Sequence, residues 1–337
     1  MRKKTFSFIF IGMLFIAFLV TSWTLKQITH ENEYILDKLV QYEDDTPLHY
    51  IKEIDTHQVS LGHDLIHEGW TTHAGSKSKR ISKFFVCTDC HNTVKEELDL
   101  ASPTPEERLK YTSERNIPFL QGTTLYGTVN RSSWYNGDYV EKYGDWIIPA
   151  RDTLENAIQL CAKVCSQGRE LEEWEMTAIM HYLHTIGYKM EDLIFSDAEK
   201  NLLSSNESTN DAKINTIKSK YALSSSATFM NPMPKKERNY GAQGNPENGQ
   251  LIYEGSCQHC HSHSNTATSL KLDNSRLTFK LLKSRLNKDN NYSIYNIVRT
   301  GTYADVGMRA YMPHYTAEKM SDQQIEDLVS YIKEKSK

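Results

Sequence analysis

The chain has 337 residues, which is enough for two domains that each bury a core of their own. Apolar residues make up 39% of the chain and charged residues 24%, which are ordinary values for a folded, water-exposed protein. The formal net charge of −4 is mildly acidic and argues against nucleic acid as a partner.

The N-terminal residues 1–28 differ from the rest of the chain. Three basic residues near the start are followed by an uncharged, apolar run from Thr5 to Leu25. About 20 apolar residues span a bilayer as a helix, and flanking basic residues favour the cytoplasmic side. The sequence therefore predicts a single-pass anchor in the cytoplasmic membrane with the rest of the chain in the periplasm. A cleaved signal peptide is the alternative, but no A-x-A-like cleavage site follows the run.

The first predicted domain, residues 56–195, follows a polar stretch, residues 29–55, that we interpret as a spacer. In this domain Cys87, Cys90 and His91 form the pattern C-x-x-C-H, which is the attachment pattern of c-type haem. Two thiols at this spacing can reach both vinyl groups of one porphyrin, and the next histidine then points at the iron. The motif predicts a covalently bound haem.

Two helices are expected around this motif. The stretch LIHEG (residues 65–69) belongs to a predicted opening helix, and an inserted loop, residues 70–86, separates it from the motif. A closing helix is predicted by apolar residues at the spacing i, i+3, i+4, i+7. These residues are Met176, Ile179, Met180 and Leu183. After them, residues 196–240 are rich in Ser, Asn, Pro and Gly, which predicts a linker with at most one short helix.

The second predicted domain, residues 241–337, repeats the same order of features. LIYEG (residues 251–255) echoes LIHEG, and Ser321 with Gln324 forms a capping box before the closing helix. The second haem motif consists of Cys257, Cys260 and His261. The second apolar stripe consists of Ile325, Leu328, Val329 and Ile332.

The repeat predicts a mainly α fold with two tandem class I cytochrome c domains behind an N-terminal transmembrane helix. Each domain is expected to hold one covalently bound haem c. Two alternatives are a zinc site built from the four motif thiols, or two disulfides in an oxidising compartment. Neither alternative explains why His91 and His261 directly follow the cysteine pairs.

A c-type haem iron has one further axial position, whose occupant strongly influences the reduction potential. In the second domain Met312 is the predicted ligand, because it precedes Pro313 and lies 13 residues before Ile325 of the closing helix. A thioether ligand favours reduced iron. His314 and His263 are the next choices.

In the first domain, counting the same 13 residues back from the closing helix leads to a position between two cysteines. Thirteen residues before Met176 stands Lys163, with Cys161 two residues before it and Cys165 two residues after it. We predict a thiolate ligand for the first haem, with Cys161 favoured over Cys165. The alternatives are a buried apolar cysteine, or a Cys161–Cys165 disulfide, which would strain the helix.

The segment DTLENAIQLCAKVCSQGRELEEWEM (residues 152–176) resembles the region of the haem-ligating cysteine in dihaem thiosulfate dehydrogenases and in the dihaem subunit of the Sox sulfur-oxidation system. The matching residues are Thr153, Glu155, Ile158, Gln159, Cys161 and Gly168. The likeness spans both predicted domains. It implies that Cys161 is the ligand, that two thiosulfate ions are joined to tetrathionate at the first haem, and that the Met-ligated haem passes the electrons on.

Two functions follow from these patterns. One is a membrane-tethered electron carrier between other cytochromes or a quinol-linked donor and a terminal acceptor. The other is an oxidoreductase of the thiosulfate dehydrogenase type, in which Cys161 is catalytic and a basic group holds a small sulfur anion. A third, weaker hypothesis makes Cys161 a redox sensor without turnover. The candidate basic groups are Arg131, Arg151, Lys163 and Arg169, of which Arg169 is the predicted catalytic one.

Overall fold

The structure, a computed structural model, describes residues 32–263, 268, 270–302 and 310–337. This part of the chain is mainly helical, and its single sheet is a two-stranded hairpin. None of its helices combines the length and apolar character needed to cross a bilayer. The predicted anchor, residues 1–28, lies outside the described residues.

The helices and strands are, in chain order, α1 (Ile35–Gln41), α2 (Thr56–Glu68), β1 (Thr72–His73), β2 (Ser76–Lys77), α3 (Pro105–Glu114), α4 (Tyr139–Tyr143), α5 (Ile148–Asp152), α6 (Leu154–Leu160), α7 (Glu173–Thr185), α8 (Asp197–Ser204), α9 (Asn210–Lys218), α10 (Pro246–Ile252), α11 (Gln258–His261), α12 (Arg276–Ser284), α13 (Ile294–Thr300) and α14 (Asp322–Lys335). They belong to two compact units. Among the described residues, the smaller unit comprises 32–46 and 188–220, and the larger comprises 47–187 and 221–337.

The smaller unit contains α1, α8 and α9. Helix α1 buries Ile35 completely, and α9 does the same with Ile217. Lys218 of α9 forms an ion pair with Asp44, which follows α1 in the chain (2.7 Å). The expectation of at most one short helix in residues 196–240 is wrong, because α8 and α9 both form there. Their few apolar residues give too weak a periodic pattern to stand out from the polar sequence.

In the larger unit each C-x-x-C-H motif has an opening and a closing helix, and the two pairs cross in the same way. A Cβ atom at Gly62 of α2 would lie 2.0 Å from the carbonyl O of Ala178 in α7. A Cβ atom at Gly249 of α10 would lie 2.1 Å from the carbonyl O of Asp327 in α14. The helices of each pair therefore touch backbone to backbone at a glycine. The predicted opening and closing helices of both domains are confirmed, and we call the two halves of this unit the first and second copy.

The glycine crossings also correct the register of the repeat. When they are superposed, residues 65–66 correspond to residues 252–253, and all four side chains are at most 1% exposed. Aligning LIHEG with LIYEG instead matches Leu251 to the buried Leu65, but Leu251 is 37% exposed. The echo is out of register by one residue. After the crossing the two copies differ, because α10 continues as a π-helical turn, Tyr253–Cys257, whereas α2 is followed by Gly69 with a left-handed φ of 71°.

The closing helices show how well the apolar stripes predict burial. All four predicted positions of α14 are buried, and the capping box between Ser321 and Gln324 is present. In α7 three of the four are buried, and Met176 is half-buried. Periodicity thus identified the faces that pack against α2 and α10.

Residues 221–240 contain no helix and run along both copies. The backbone N–H of Phe229 donates to Asp138 of the first copy (2.7 Å). The hydroxyl of Thr228 donates to Glu318 of the second copy (2.7 Å). This segment therefore ties the two copies together beside the cavity described below.

Candidate haem centre

The first motif is held against a neighbouring loop. Cys87–Asp89 forms a 3-10 turn, and the carbonyl O of Cys90 accepts from the N–H of Gly122 (2.9 Å). Nδ1 of His91 donates to the carbonyl O of Thr123 (2.6 Å), which leaves Nε2 as the nitrogen that can bind a metal. A Cβ at Gly122 would lie 2.7 Å from the His91 ring, so glycine is what allows this close approach.

The second motif orients its histidine in the same way. The π-helical turn before it leads into α11, which ends at His261. Nδ1 of His261 donates to the carbonyl O of Leu270 (2.8 Å), and the carbonyl O of His261 accepts from the N–H of Leu272 (2.8 Å). In both motifs a backbone carbonyl fixes Nδ1 as the donor, so both imidazoles offer Nε2.

Burial sets the protonation of the motif side chains. It lowers the pKa of His91 and of His261, which keeps both rings neutral, the form in which imidazole binds a metal. It raises the pKa of Cys87 and Cys260 to about 11 and that of Cys257 to about 12. All six cysteines are free thiols.

A cavity of about 380 Å³ opens beside the first motif, within the usual size range of cofactor pockets. Both copies contribute side chains to its wall. The polar and sulfur-containing lining residues that matter below are Cys87, Cys90, His91, Gln121, Arg131, Tyr135, Cys161, Cys165, Met312, His314 and Lys319.

The lining fits a c-type haem. Leucine and isoleucine side chains form apolar walls for the macrocycle, and the thiols of Cys87 and Cys90 lie beside His91. Nε2 of Gln121 is buried without a hydrogen-bond partner. Arg131 and Lys319 also line the cavity although they are only 7% and 9% exposed, and Nζ of Lys319 lies 3.8 Å from a carboxylate oxygen of Glu96. Burial lowers the pKa of Lys319 to about 8.

The two further cysteines enter the same cavity from a π-helical turn, Cys161–Cys165, at the end of α6. The hydrogen bond between the two sulfurs raises the pKa of Cys161 and lowers that of Cys165. The hydroxyl of Tyr135 lies 3.6 Å from Sγ of Cys165. Lys163, the position reached by counting, is exposed and paired with Glu170. Both thiols therefore face the cavity, and Cys161 stays the predicted ligand of the first haem.

Met312 also lines this cavity. Hydrogen bonds between its backbone and Thr302, of 2.7 and 2.8 Å, hold its loop. His314 lines the cavity as well, with its Nε2 buried and without a hydrogen-bond partner, and burial lowers its pKa to about 4. His263 is exposed. The cavity brings Met312 to the first motif, while His261 is not among its lining residues.

The structure gives Arg169 a structural role instead of the anion-binding role expected from the sequence. Its guanidinium donates to both carboxylate oxygens of the fully buried Glu175, at 2.6 and 2.7 Å. The other donors go to the carbonyl oxygens of Lys79, Arg80 and Glu170. All five N–H groups are used, and Arg169 does not line the cavity.

Two side chains at the cavity were missed by sequence reasoning. Tyr135 reaches Cys165 from a loop 30 residues earlier, with a left-handed φ of 49°. Lys319 comes from the other copy. Neither residue belongs to a motif, and only the folded arrangement brings them to the thiols. Arg131, by contrast, was among the basic groups that the sequence singled out.

The two motifs adjoin. Sγ of Cys260 lies 3.9 Å from the carbonyl O of Asp89, which belongs to the first motif. Next to this contact, the N–H of Phe119 donates to the carbonyl O of Gly255 (2.9 Å). The hydroxyl of Tyr315 in the second copy donates to the carbonyl O of Phe119 (3.3 Å). Groups attached to the two motifs would therefore be close neighbours.

Comparison with known proteins identifies the second copy. Residues 244–332 match the family model described as cytochrome C oxidase, cbb3-type, subunit III. This part of the chain is a c-type cytochrome domain, and such a domain carries a covalently bound haem c. Its chemistry is haem-based electron transfer. No curated protein and no solved structure matches the chain.

Proposed function

We propose that the chain is a membrane-anchored, periplasm-facing dihaem cytochrome c that transfers electrons between two covalently bound haems. The observation that carries the proposal is the contact between the two motifs, at Cys260 and Asp89. Close motifs favour exchange of electrons within one molecule. The match of residues 244–332 to a cytochrome family supports one of the two haems, and the helix crossing and histidine geometry shared by the copies support the other.

The side chains have separate tasks in this proposal. Haem iron, when bound, takes up or gives away one electron. His91 and His261 supply Nε2, and their carbonyl partners fix each ring and make it more basic. The thiolate of Cys161 would lower the reduction potential of the first haem relative to that of the second, and this difference would give electron flow a direction.

The proposal is tested by measuring the number of haems per chain and their midpoint potentials. Full-length, haem-loaded protein is expected to contain two haems per chain and to show two separated midpoint potentials in a redox titration. Replacing both cysteines of one motif by serine should leave one haem, and the remaining potential should differ between the Cys87→Ser/Cys90→Ser and Cys257→Ser/Cys260→Ser variants. An unchanged haem content after loss of the first cysteine pair would refute the dihaem assignment.

The membrane anchor is tested separately by cell fractionation. The full chain is expected in the membrane fraction, and a chain lacking residues 1–28 but carrying a cleavable export signal should be released into the periplasm with its haems. Release of the full chain in soluble form would contradict a retained anchor.

A second candidate function is oxidation of thiosulfate at the first haem. It is favoured by the two thiols and the buried cations Arg131 and Lys319 in one cavity. Two thiosulfate ions would lose one electron each and join through a new S–S bond, and each haem would accept one electron. Dye-linked oxidation of thiosulfate, or reduction of tetrathionate, should then depend on Cys161. If neither activity occurs at any pH, the carrier function stands alone.

A further inference from the structure

The helix α12 carries a concentration of positive charge on an acidic protein. Residues 270–288 contain six lysine or arginine residues and one acidic residue, whereas the whole chain has a net charge of −4. The acidic residue, Asp273, forms hydrogen bonds with residues at the start of α12. Its carboxylate accepts from the hydroxyls of Ser275 (2.7 Å) and Thr278 (2.5 Å) at the start of the helix. The excess charge is therefore not compensated within the segment.

Helical geometry puts this charge beside exposed leucines. At 100° per residue, Arg276, Lys280 and Lys283 fall along one edge of the solvent side, and Leu277 and Leu281 fall along the other. Leu277 is 78% exposed and Leu281 is 42% exposed, although both are large apolar side chains. The opposite side of the helix is buried. We call this surface the α12 face, and it consists of Arg276, Leu277, Lys280, Leu281 and Lys283.

The α12 face is joined to the second motif. The chain leading into α12 bonds His261 twice, through the carbonyl O of Leu270 and the N–H of Leu272. On the buried side of α12, the ring of Phe279 packs against Tyr253, which begins the π-helical turn of the motif (5.1 Å between ring centroids). A protein bound to this face would be separated from the start of the second motif by the width of one helix.

Within the described part of the chain, no carboxylate forms an ion pair with the three cations of the α12 face. We propose that this face docks an acidic electron-transfer protein, which exchanges electrons with the second haem. The cations attract and orient the partner over long range, and the two leucines bury apolar surface at contact. A helix of nine residues with two exposed leucines offers little apolar area for a lipid surface, so a protein partner is favoured.

This inference rests on the proposed electron-transfer function, and its test uses a strongly acidic plant-type ferredoxin as the probe. Reduced ferredoxin is mixed with oxidised, full-length, haem-loaded protein, and reduction of haem is followed by stopped flow. The variant Lys280→Glu/Lys283→Glu is expected to lower the second-order rate constant by about tenfold or more at low ionic strength. The loss should shrink towards nothing at about 0.5 M salt, where charges are screened.

The matched control is Lys52→Glu/Lys110→Glu, which changes the net charge equally at two exposed lysines elsewhere in the same unit. Its rate constant should change less than about twofold. Equal slowing in both variants, or no slowing in either, would overturn the docking surface. So would loss of binding to phosphatidylglycerol vesicles in the α12 variant with an unchanged ferredoxin rate, since that result assigns the face to lipid.

Haem content and full reduction by dithionite are measured for every protein. A chain that lacks the second haem would contradict the proposed function itself. A chain with both haems, fully reducible, whose ferredoxin rate ignores the α12 charges would contradict only the docking proposal.

Discussion

Cys161 and Cys165 are four residues apart, yet they are expected to have different effects on the first haem. A thiolate ligand pushes electron density onto iron, and a thioether does not. Cys161→Met should therefore raise the midpoint potential of one haem by ~100 mV or more and leave the other nearly unchanged. The measurement is a redox titration with optical detection.

The matched variant is Cys165→Ser, which keeps a small polar group beside Tyr135. It should shift the same potential much less, since it alters only a hydrogen bond to the ligand sulfur. If Cys165→Ser produces the large shift and Cys161→Met does not, the ligand is Cys165.

Arg169 illustrates how a basic residue near a thiol can have a purely structural task. Its partner Glu175 has a side chain that is 0% exposed, so removing the guanidinium leaves a buried carboxylate unpaired. Arg169→Gln should lower the free energy of unfolding by about 2–3 kcal/mol, somewhat below the value for a fully buried pair because Arg169 is partly exposed. Denaturant titration measures this change.

Lys163→Gln is the control, because Lys163 and Glu170 form an exposed pair. It should change the free energy of unfolding by about 0.5 kcal/mol or less. The haem potentials should be the same in both variants. A large potential shift with unchanged stability in Arg169→Gln would instead indicate that Arg169 acts on the haem or on an anion.

The roles of residues that belong to a short sequence motif could be predicted, and the roles of residues that depend on tertiary contacts could not. His91 and His261 follow directly from the C-x-x-C-H spacing, and the structure adds the carbonyl partners. The position of Lys319 at the cavity could not be predicted from the sequence, because Lys319 belongs to the second copy and reaches the cavity only in the folded protein. Arg169 was misjudged because sequence shows its charge and not its five bonded partners.

At the scale of elements, apolar periodicity predicted the long helices and failed for the short ones. α7 and α14 each have a continuous stripe of apolar residues at helical spacing, so their buried faces could be predicted from the sequence. α9 buries Ile214 and Ile217 among polar neighbours, which is too little to distinguish a helix from a linker. The register error between LIHEG and LIYEG arose because matching letters were aligned, whereas the packing is set by the crossing glycines, Gly62 and Gly249, which lie one residue out of that alignment.

The crossing of α2 and α7 should be intolerant of any side chain at Gly62. A Cβ there would lie 2.0 Å from a backbone oxygen, so the helices would have to separate. Gly62→Ala is expected to cost about 3 kcal/mol or more of unfolding free energy. Denaturation followed by far-ultraviolet circular dichroism measures the loss.

Gly75→Ala in the β1–β2 turn is the control for this substitution. No atom lies within 4 Å of the added Cβ, and only the left-handed φ of 76° opposes alanine. Its cost should be about 1 kcal/mol. Equal costs at the two glycines would show that α2 and α7 can separate enough to accept a methyl group at little cost.

At the scale of the molecule, the two copies form one unit held by buried polar contacts. Arg108 of the first copy is 1% exposed, donates to Glu96 (2.7 Å), and reaches the carbonyl O of Lys319 in the second copy (3.4 Å). Gln324 of α14 donates to the carbonyl O of Pro105 (2.8 Å). Tandem repeats in the sequence suggested two domains, but sequence periodicity carries no information on how much surface two repeats share.

A shared unit predicts that damage to the second copy unfolds the first. Four of the five tryptophans, Trp70, Trp134, Trp146 and Trp174, belong to the first copy, and the fifth, Trp23, lies in the predicted anchor. In a chain lacking residues 1–28, tryptophan fluorescence is therefore a probe of the first copy. Gly249→Ala forces α10 away from α14 in the second copy and should cost about 3 kcal/mol. Because the copies unfold together, the denaturation midpoint by fluorescence should fall as far as the midpoint by circular dichroism. A fluorescence transition that stays at the wild-type denaturant concentration while circular dichroism shows an earlier step would mean that each copy folds by itself.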